Sequence, residues 1–508
     1  MSKEKERRLQ KQKEQDEKLS KRVESGEAVR VMHIEKGKKA VLPNRKNTEE
    51  TVEEEMADRQ NKVERATILY RQMLPGLLKK LGRIKDPRQP EKIKHKMTVL
   101  MLYGILLFVW QTGSRRKANK EMSRAIFLKN MSAMFPELDS IPHADTLARL
   151  LEKIEVEKIQ ECLVDLLKDL MRKKKFKSYL INKRYLIAVD GTQKFYMDYQ
   201  WQPQALERHV GGDERIPQYY VYVLESVLVL DNGIVLPVLT EILDNEDWIP
   251  GLTKQDCERS AFKRLAQKLY SIFGSKVTLI ADGLYACGPV ISRCRQYGWE
   301  FMIVLKEDGM SDVWREATGL MTLEPSNSLR VMWGDRQQDY FWANDIEYEY
   351  ITNFRRTEIL HVVMCYETWT ENHSRSTGVI EEKRTRYAWI SSRPLNEKNV
   401  FMRCTKIARY RWRIENNFLI EKHEGYHYEH VYSYNWQAMK GFHYLMKIGH
   451  FLNAMAVNSE MLLEYVNEKG IRGFITDLKI ALSGAVLDQD RIRKVVKEKH
   501  IWKLKATA

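Results

Sequence analysis

The chain has 508 residues, of which 43% are hydrophobic and 30% charged, and its formal net charge is +16. Such a length suggests two to four domains, and the apolar content is enough to bury substantial cores, so disorder of the whole chain is excluded. The positive balance favours a polyanionic partner, nucleic acid ahead of an anionic membrane surface; a small-molecule enzyme has no need of it.

Residues 1–65 are dominated by Lys, Glu, Arg and Gln and read as a charged, flexible leader. They begin Met1-Ser2-Lys3-Glu4-Lys5 without the apolar run of a signal peptide. Residues 66–180 read as a helical, basic DNA-binding region. Between Tyr70 and Asn130 there are 15 Lys or Arg and 3 Asp or Glu, a local net of +12. Clusters such as Lys79-Lys80 and Arg115-Arg116-Lys117 alternate with apolar helical patches, as expected of a reader of the DNA backbone. The plainer reading is a helical domain with a solvated basic face. Met97 to Trp110 is apolar but falls short of the roughly 18 residues that span a bilayer, so it reads as a buried helix, and no membrane association is expected. Ile141 to Leu147 reads as a turn and a helix start, with Leu147, Leu150, Leu151 and Ile154 at helical spacing.

The pattern changes at Tyr185. Tyr185 to Asp190, Gln218 to Leu230 and Ile234 to Leu243 read as strands, the last two joined by the turn Asp231-Asn232-Gly233. A helix follows to about Phe273, with Asp256 as its expected cap. Then come a strand Val277 to Ala281, a helix to about Tyr297 and a strand Glu300 to Leu305. This order predicts an α/β fold, a mixed sheet with helices packed on it, over 181–309. From about Met310 to Ser392 the helical pattern disappears, and 310–395 reads as a β-rich insertion. Tryptophans 333, 342 and 369 fall in it; one could stack on an extruded base, although core packing is the commoner use. Helix returns over 396–460, through Tyr410 to Ile420 and Trp436 to Val457. Residues 461–508 read as a basic helical tail. The six cysteines, at 162, 257, 287, 294, 365 and 404, form no CxxC pair and read as reduced thiols of a cytoplasmic protein.

Two apolar strands each run into an acid and a glycine, at Asp190-Gly191 and Asp282-Gly283. A carboxylate at a strand end is fixed in place while its oxygens reach the sheet edge. The glycine lets the backbone turn away. Taken singly, each Asp-Gly is more often a turn. Glu415 joins them from the helical stretch around Ile414 and Phe418, which bury one face. Two Asp and one Glu make an oxygen-only set, suited to Mg²⁺ or Mn²⁺ rather than zinc. Two such ions can activate a water or a 3′-hydroxyl and stabilise the leaving oxygen of a phosphodiester.

Asp190-Gly191-Thr192, Asp282-Gly283-Leu284-Tyr285 and the interval Arg411-(3)-Glu415-(6)-Lys422 resemble the DDE transposases of bacterial insertion sequences, most closely the insertion-sequence-four superfamily. Asp190 and Asp282 are 92 residues apart, and Asp282 and Glu415 are 133 apart, leaving room for an insertion before the Glu. The family's signature tyrosine would fall at Ala408, with Tyr410 two residues on. The resemblance implies an RNase H-like catalytic core and metal at Asp190, Asp282 and Glu415. It implies cutting and joining of double-stranded DNA at the element's own ends by a homodimer associated with the nucleoid. Arg411 and Lys422 would contact phosphates beside the metals, and either Tyr410 takes the signature tyrosine's part in contacting DNA or that part is absent. A catalytically idle, regulatory DNA-binding protein on the same fold is the alternative.

His423-Glu424-Gly425-Tyr426-His427 spells the HExxH pattern of zinc peptidases, which needs both histidines on one helical face. Gly425 weakens that helix, and Lys422 sets a positive charge beside the ion. The zinc reading is therefore the remote one.

Overall fold

The computed structural model describes residues 3–30, 49–211, 216–246, 254–372 and 379–506; parts of the expected leader (31–48) and of the β-rich segment (373–378) lie outside them. Helix α1 (Lys3–Glu24) and a short strand β1 (Ala28–Arg30) come first. Helix α2 (Val52–Leu81) starts inside the span read as leader. A capping box fixes that start: Thr51 accepts from the Glu54 amide, and the Glu54 carboxylate accepts from the Thr51 amide. Four more helices follow before the next, namely α3 (Met97–Val109), α4 (Arg115–Met122), α5 (Ala125–Met134) and α6 (Ala144–Leu151), and α7 (Glu157–Arg172) closes this helical stretch.

The strands β2 (Tyr185–Met197), β3 (Leu206–Val210), β4 (Ile216–Val229) and β5 (Val235–Ile242) come next. Helix α8 (Glu258–Phe273), strand β6 (Val277–Ala281), helix α9 (Gly288–Gln296) and strand β7 (Glu300–Val304) follow in the expected order. Asp256 does not cap α8: Cys257 takes the cap position, and Asp256 is held by Arg264 at 2.6 Å. Helix α10 (Ser311–Leu323) precedes the long strands β8 (Ser328–Trp333), β9 (Arg336–Ile351), β10 (Arg355–Asn372) and β11 (Val379–Ser391). The chain ends in α11 (Trp412–His423), α12 (Trp436–Val457), α13 (Leu463–Gly484) and α14 (Gln489–Lys497).

The chain divides into two compact units. The smaller holds 1–48, 286–288 and 302–405. Its strands β8, β9, β10 and β11 pair antiparallel in sequence order, and β1 and residues Met302–Val304 of β7 both pair with β11. Helix α10 packs on β9 and corrects the expectation that helix is absent after Met310. Only Val313 and Ala317 of α10 are buried, so its apolar stripe is too thin to read as a helical period.

The larger unit holds 49–285, 289–301 and 406–508. Helix α3 is apolar all round and is buried along its length, as such a helix must be. It crosses α12 closely at two glycines: a Cβ on Gly104 would lie 2.7 Å from Leu445, and one on Gly449 would lie 2.7 Å from Phe108. Among the described residues no helix is long and apolar enough to cross a membrane. The sheet of this unit runs β3, β4, β2, β6, with β5 also on β4. Strands β2 and β4 are antiparallel and β2 and β6 parallel, so the architecture is mixed α/β. Helix α11 lies on β2, β4 and β5, while α8 packs on β4 and β5.

Candidate active site

Asp190 sits mid-strand. The strand does not end there, as the sequence suggested, but pairs with β4 as far as Met197. The short apolar run gave no hint that Thr192 to Met197 would continue the ladder. Gly191 serves close approach, not a turn: a Cβ there would lie 2.7 Å from the Glu258 carboxyl carbon and from the Tyr222 ring. Asp282 does follow a strand end. The last rung between β2 and β6 is Val189 with Ala281, so Asp190 and Asp282 are the next residues on each chain. The Asp282 carboxylate accepts from the Leu284 amide at 2.9 Å, which fixes its side chain against the turn.

Glu415 reaches the same place from α11. A tight turn, Ala408–Arg411, leads into that helix and packs on β2 and β6. Arg411 is buried at its end, and one guanidinium nitrogen, Nη1, lies 2.7 Å from Glu415 Oε1 and 3.5 Å from Asp190 Oδ2. These two carboxylates are therefore no farther apart than the sum of those distances. Burial pushes the Asp190 carboxyl up to about 6; Arg411 opposes that shift, and the charges of Asp282 and Glu415 add to it. Asp190 and Glu415 are thus joined through Arg411, and the charge of Asp282 acts on Asp190.

Among the described residues, no group of three or more His, Cys, Asp or Glu stands close enough to hold a metal ion. Arg411 bridges the acids where a cation would neutralise them. In kind the donors fit a hard divalent ion: all are carboxylates.

The other sequence candidates are more dispersed. Lys422 is on α11, two turns from Glu415, and pairs with Glu429 at 3.1 Å. Ala408 is buried, and Tyr410 takes the Arg413 guanidinium over its ring at 4.1 Å. The HExxH geometry is broken. His423 is the last residue of α11, Gly425 has φ +96° and His427 has φ 50°, so the two histidines do not share a helical face. A Cβ on Gly425 would meet the Gln111 side chain, which explains the glycine. Of the three tryptophans, Trp342 is buried, Trp369 lies under Arg336 and Trp333 is 40% exposed.

Three further acids escaped the sequence reading. Glu258, at the start of α8, accepts from the hydroxyls of Tyr222 at 2.7 Å and Tyr285 at 2.8 Å. It ties β4 to the loop after Asp282 on the far side of Gly191. Glu225 stands directly opposite Asp190 on β4, and Glu421 lies six residues beyond Glu415 on α11. Both are fully buried. A lone acid in the apolar run Val221 to Leu230 was the available signal for Glu225.

In the helical region, Arg83, Lys85, Lys92, Lys94 and Lys96 are exposed on the connection from α2 to α3. Beside them a groove of about 570 Å³ is lined by Lys80, Arg83, Lys85, Lys153 and Lys158, with Glu155, Glu161 and Asp165 also on its wall. Residues 78–167, from the end of α2 through most of α7, match the family model described as DDE_Tnp_1-associated. The match indicates a DDE-type transposase family. The transposase-associated segment ends before β2, so the acids lie outside it. A comparison with curated proteins gave no match.

Proposed function

We propose that this chain is a DDE transposase of the insertion-sequence-four superfamily, with an RNase H-like core, cleaving and joining double-stranded DNA at the ends of an insertion element as a homodimer. The observation that carries the reading is the Arg411 bridge between Asp190 and Glu415, with the Asp282 charge felt at Asp190. Asp190, on a strand, and Glu415, on a helix, are far apart in sequence and share one guanidinium only through the fold. The transposase-associated match over the basic helical region supports the same reading from a different part of the chain.

Asp190, Asp282 and Glu415 would hold Mg²⁺ or Mn²⁺, two ions in the working enzyme. The metal would supply Lewis-acid stabilisation of the leaving oxygen and an activated water or 3′-hydroxyl. Arg411, once exchanged from the acids, would clamp a phosphate beside the cut, and Lys422 would take a neighbouring one. The exposed cations between α2 and α3 would hold the duplex by its backbone. The test is cleavage of a plasmid carrying the DNA that flanks the coding gene. Wild-type protein cuts it in Mg²⁺, while Asp190→Ala and Glu415→Ala bind it and do not cut. Cutting by either variant at the wild-type rate would refute the assignment.

A further inference from the structure

Beside the candidate site lies a second acid pair, sealed in the core. Glu225 is the register partner of Asp190, so both side chains leave the sheet on one face. Helix α11 lies across that face and carries Glu415 at one end and Glu421 near the other. Lys447 of α12 donates to both Glu225 and Glu421, the latter at 2.6 Å. The remaining oxygens are also engaged: His450 pairs with Glu421 at 2.7 Å, and the Tyr428 hydroxyl donates to Glu225 at 2.7 Å. Lys194, on β2, donates to the Tyr428 carbonyl at 2.6 Å and lies 4.5 Å from that ring's centroid. His443 faces the same pocket through Thr240 at 3.2 Å.

An apolar contact of equal area would hold α11 without fixing its height or rotation, because burial is not directional. A buried ammonium held by two carboxylates permits one arrangement, since any slide leaves a charge without a partner in low dielectric. We infer that the Glu225–Lys447–Glu421 bridge is a positioning element: it sets α11 on the sheet and thereby sets the approach of Glu415 to Asp190. None of its three members touches the reacting atoms. The inference rests on the reading of Asp190, Asp282 and Glu415 as metal-holding acids.

The test uses the full chain and Mn²⁺. Affinity for Mn²⁺ is measured by titration calorimetry, with thermal unfolding and DNA affinity as companions, for wild type, Glu421→Gln and the triple variant Glu225→Gln/Glu421→Gln/Lys447→Met. The triple variant removes all three charges together, so none is left buried and unpaired. The expected result is Mn²⁺ affinity about tenfold or more weaker in both variants, the scale typical of losing an outer support of a metal ligand. DNA affinity stays within about twofold of wild type, since the exposed cations between α2 and α3, proposed to hold the duplex, lie on a different part of the chain. A merely structural role would lower the unfolding temperature and leave Mn²⁺ affinity of the folded protein unchanged. That outcome, or failure of both variants to fold, overturns the inference. Wild-type protein that binds no Mn²⁺ would instead defeat the metal reading itself.

Discussion

Two bridges join α11 to the sheet on the same plan: an acid on a strand, a cation, an acid on the helix. In one, Arg411 holds Asp190 and Glu415, whose side chains are 20% and 38% exposed. In the other, Lys447 holds Glu225 and Glu421, which are 1% and 0% exposed. The sealed bridge has every charge answered. Burial pushes Glu225 up, while Lys447 and His450 outweigh burial at Glu421 and hold it down. In the open bridge burial raises Asp190 too, and the Arg411 charge, opposed by those of Asp282 and Glu415, does not offset it. A saturated cluster fixes structure; an unsaturated one at the surface retains affinity for a further cation.

The comparison breaks most sharply when each cation is removed. Lys447→Met takes the shared cation from two buried carboxylates, and urea unfolding should show a loss of about 3–5 kcal/mol. Arg411→Met leaves acids that are partly open to water, and the same measurement should show a smaller loss. Equal losses would erase the distinction between the two bridges.

The next effect reverses the usual sign of an active-site substitution. The folded Asp190 carboxyl titrates at about 6, above its ordinary 3.8, so the native state binds its proton more tightly than the unfolded chain does. The stability that this proton contributes is complete below the ordinary value and is lost as pH rises through about 6. Near neutrality the ionised group is a burden. In EDTA at about pH 7, Asp190→Asn should stabilise the protein by about 1–3 kcal/mol, and the gain should fade toward about pH 4. Urea midpoints at the two pH values check it.

An effect of opposite slope belongs to the sealed side. Burial and the Lys447 charge push Lys194 down to about 7 from 10.5. Between those values the unfolded chain binds more protons than the native state, so this group makes stability rise with pH. Lys194→Met should flatten that rise in denaturation curves taken at about pH 7 and about pH 9.

Much of this was legible in the sequence, for identifiable reasons. The Tyr185, Val277 and Glu300 strands, the Asp231-Asn232-Gly233 hairpin and the Trp436 to Val457 helix announce themselves through period and turn chemistry. Gly233, at φ +84°, is where the hairpin needs a glycine. The interval singles out Asp190 and Glu415, which share the Arg411 guanidinium. What stayed hidden depends on which residues meet in space. The Asp190 strand runs on because β4 pairs with it through Met197, and no local pattern records that partner. Gly191 looked like a turn residue because its crowding by Glu258 and Tyr222 comes from elsewhere in the chain. Glu421 and Lys447 each look like surface charges on a helix; only the crossing of α11 and α12 buries them together.

Asp282 gives the most direct test, because its charge acts on Asp190 from outside the Arg411 bridge. The measurement is Mn²⁺ titration of the full chain, wild type beside Asp282→Ala, with cleavage of the gene's flanking DNA followed on the same samples. The account predicts that wild-type protein binds Mn²⁺ and cuts, and that Asp282→Ala loses both while still binding the DNA. Undiminished Mn²⁺ binding and cutting by Asp282→Ala would contradict it.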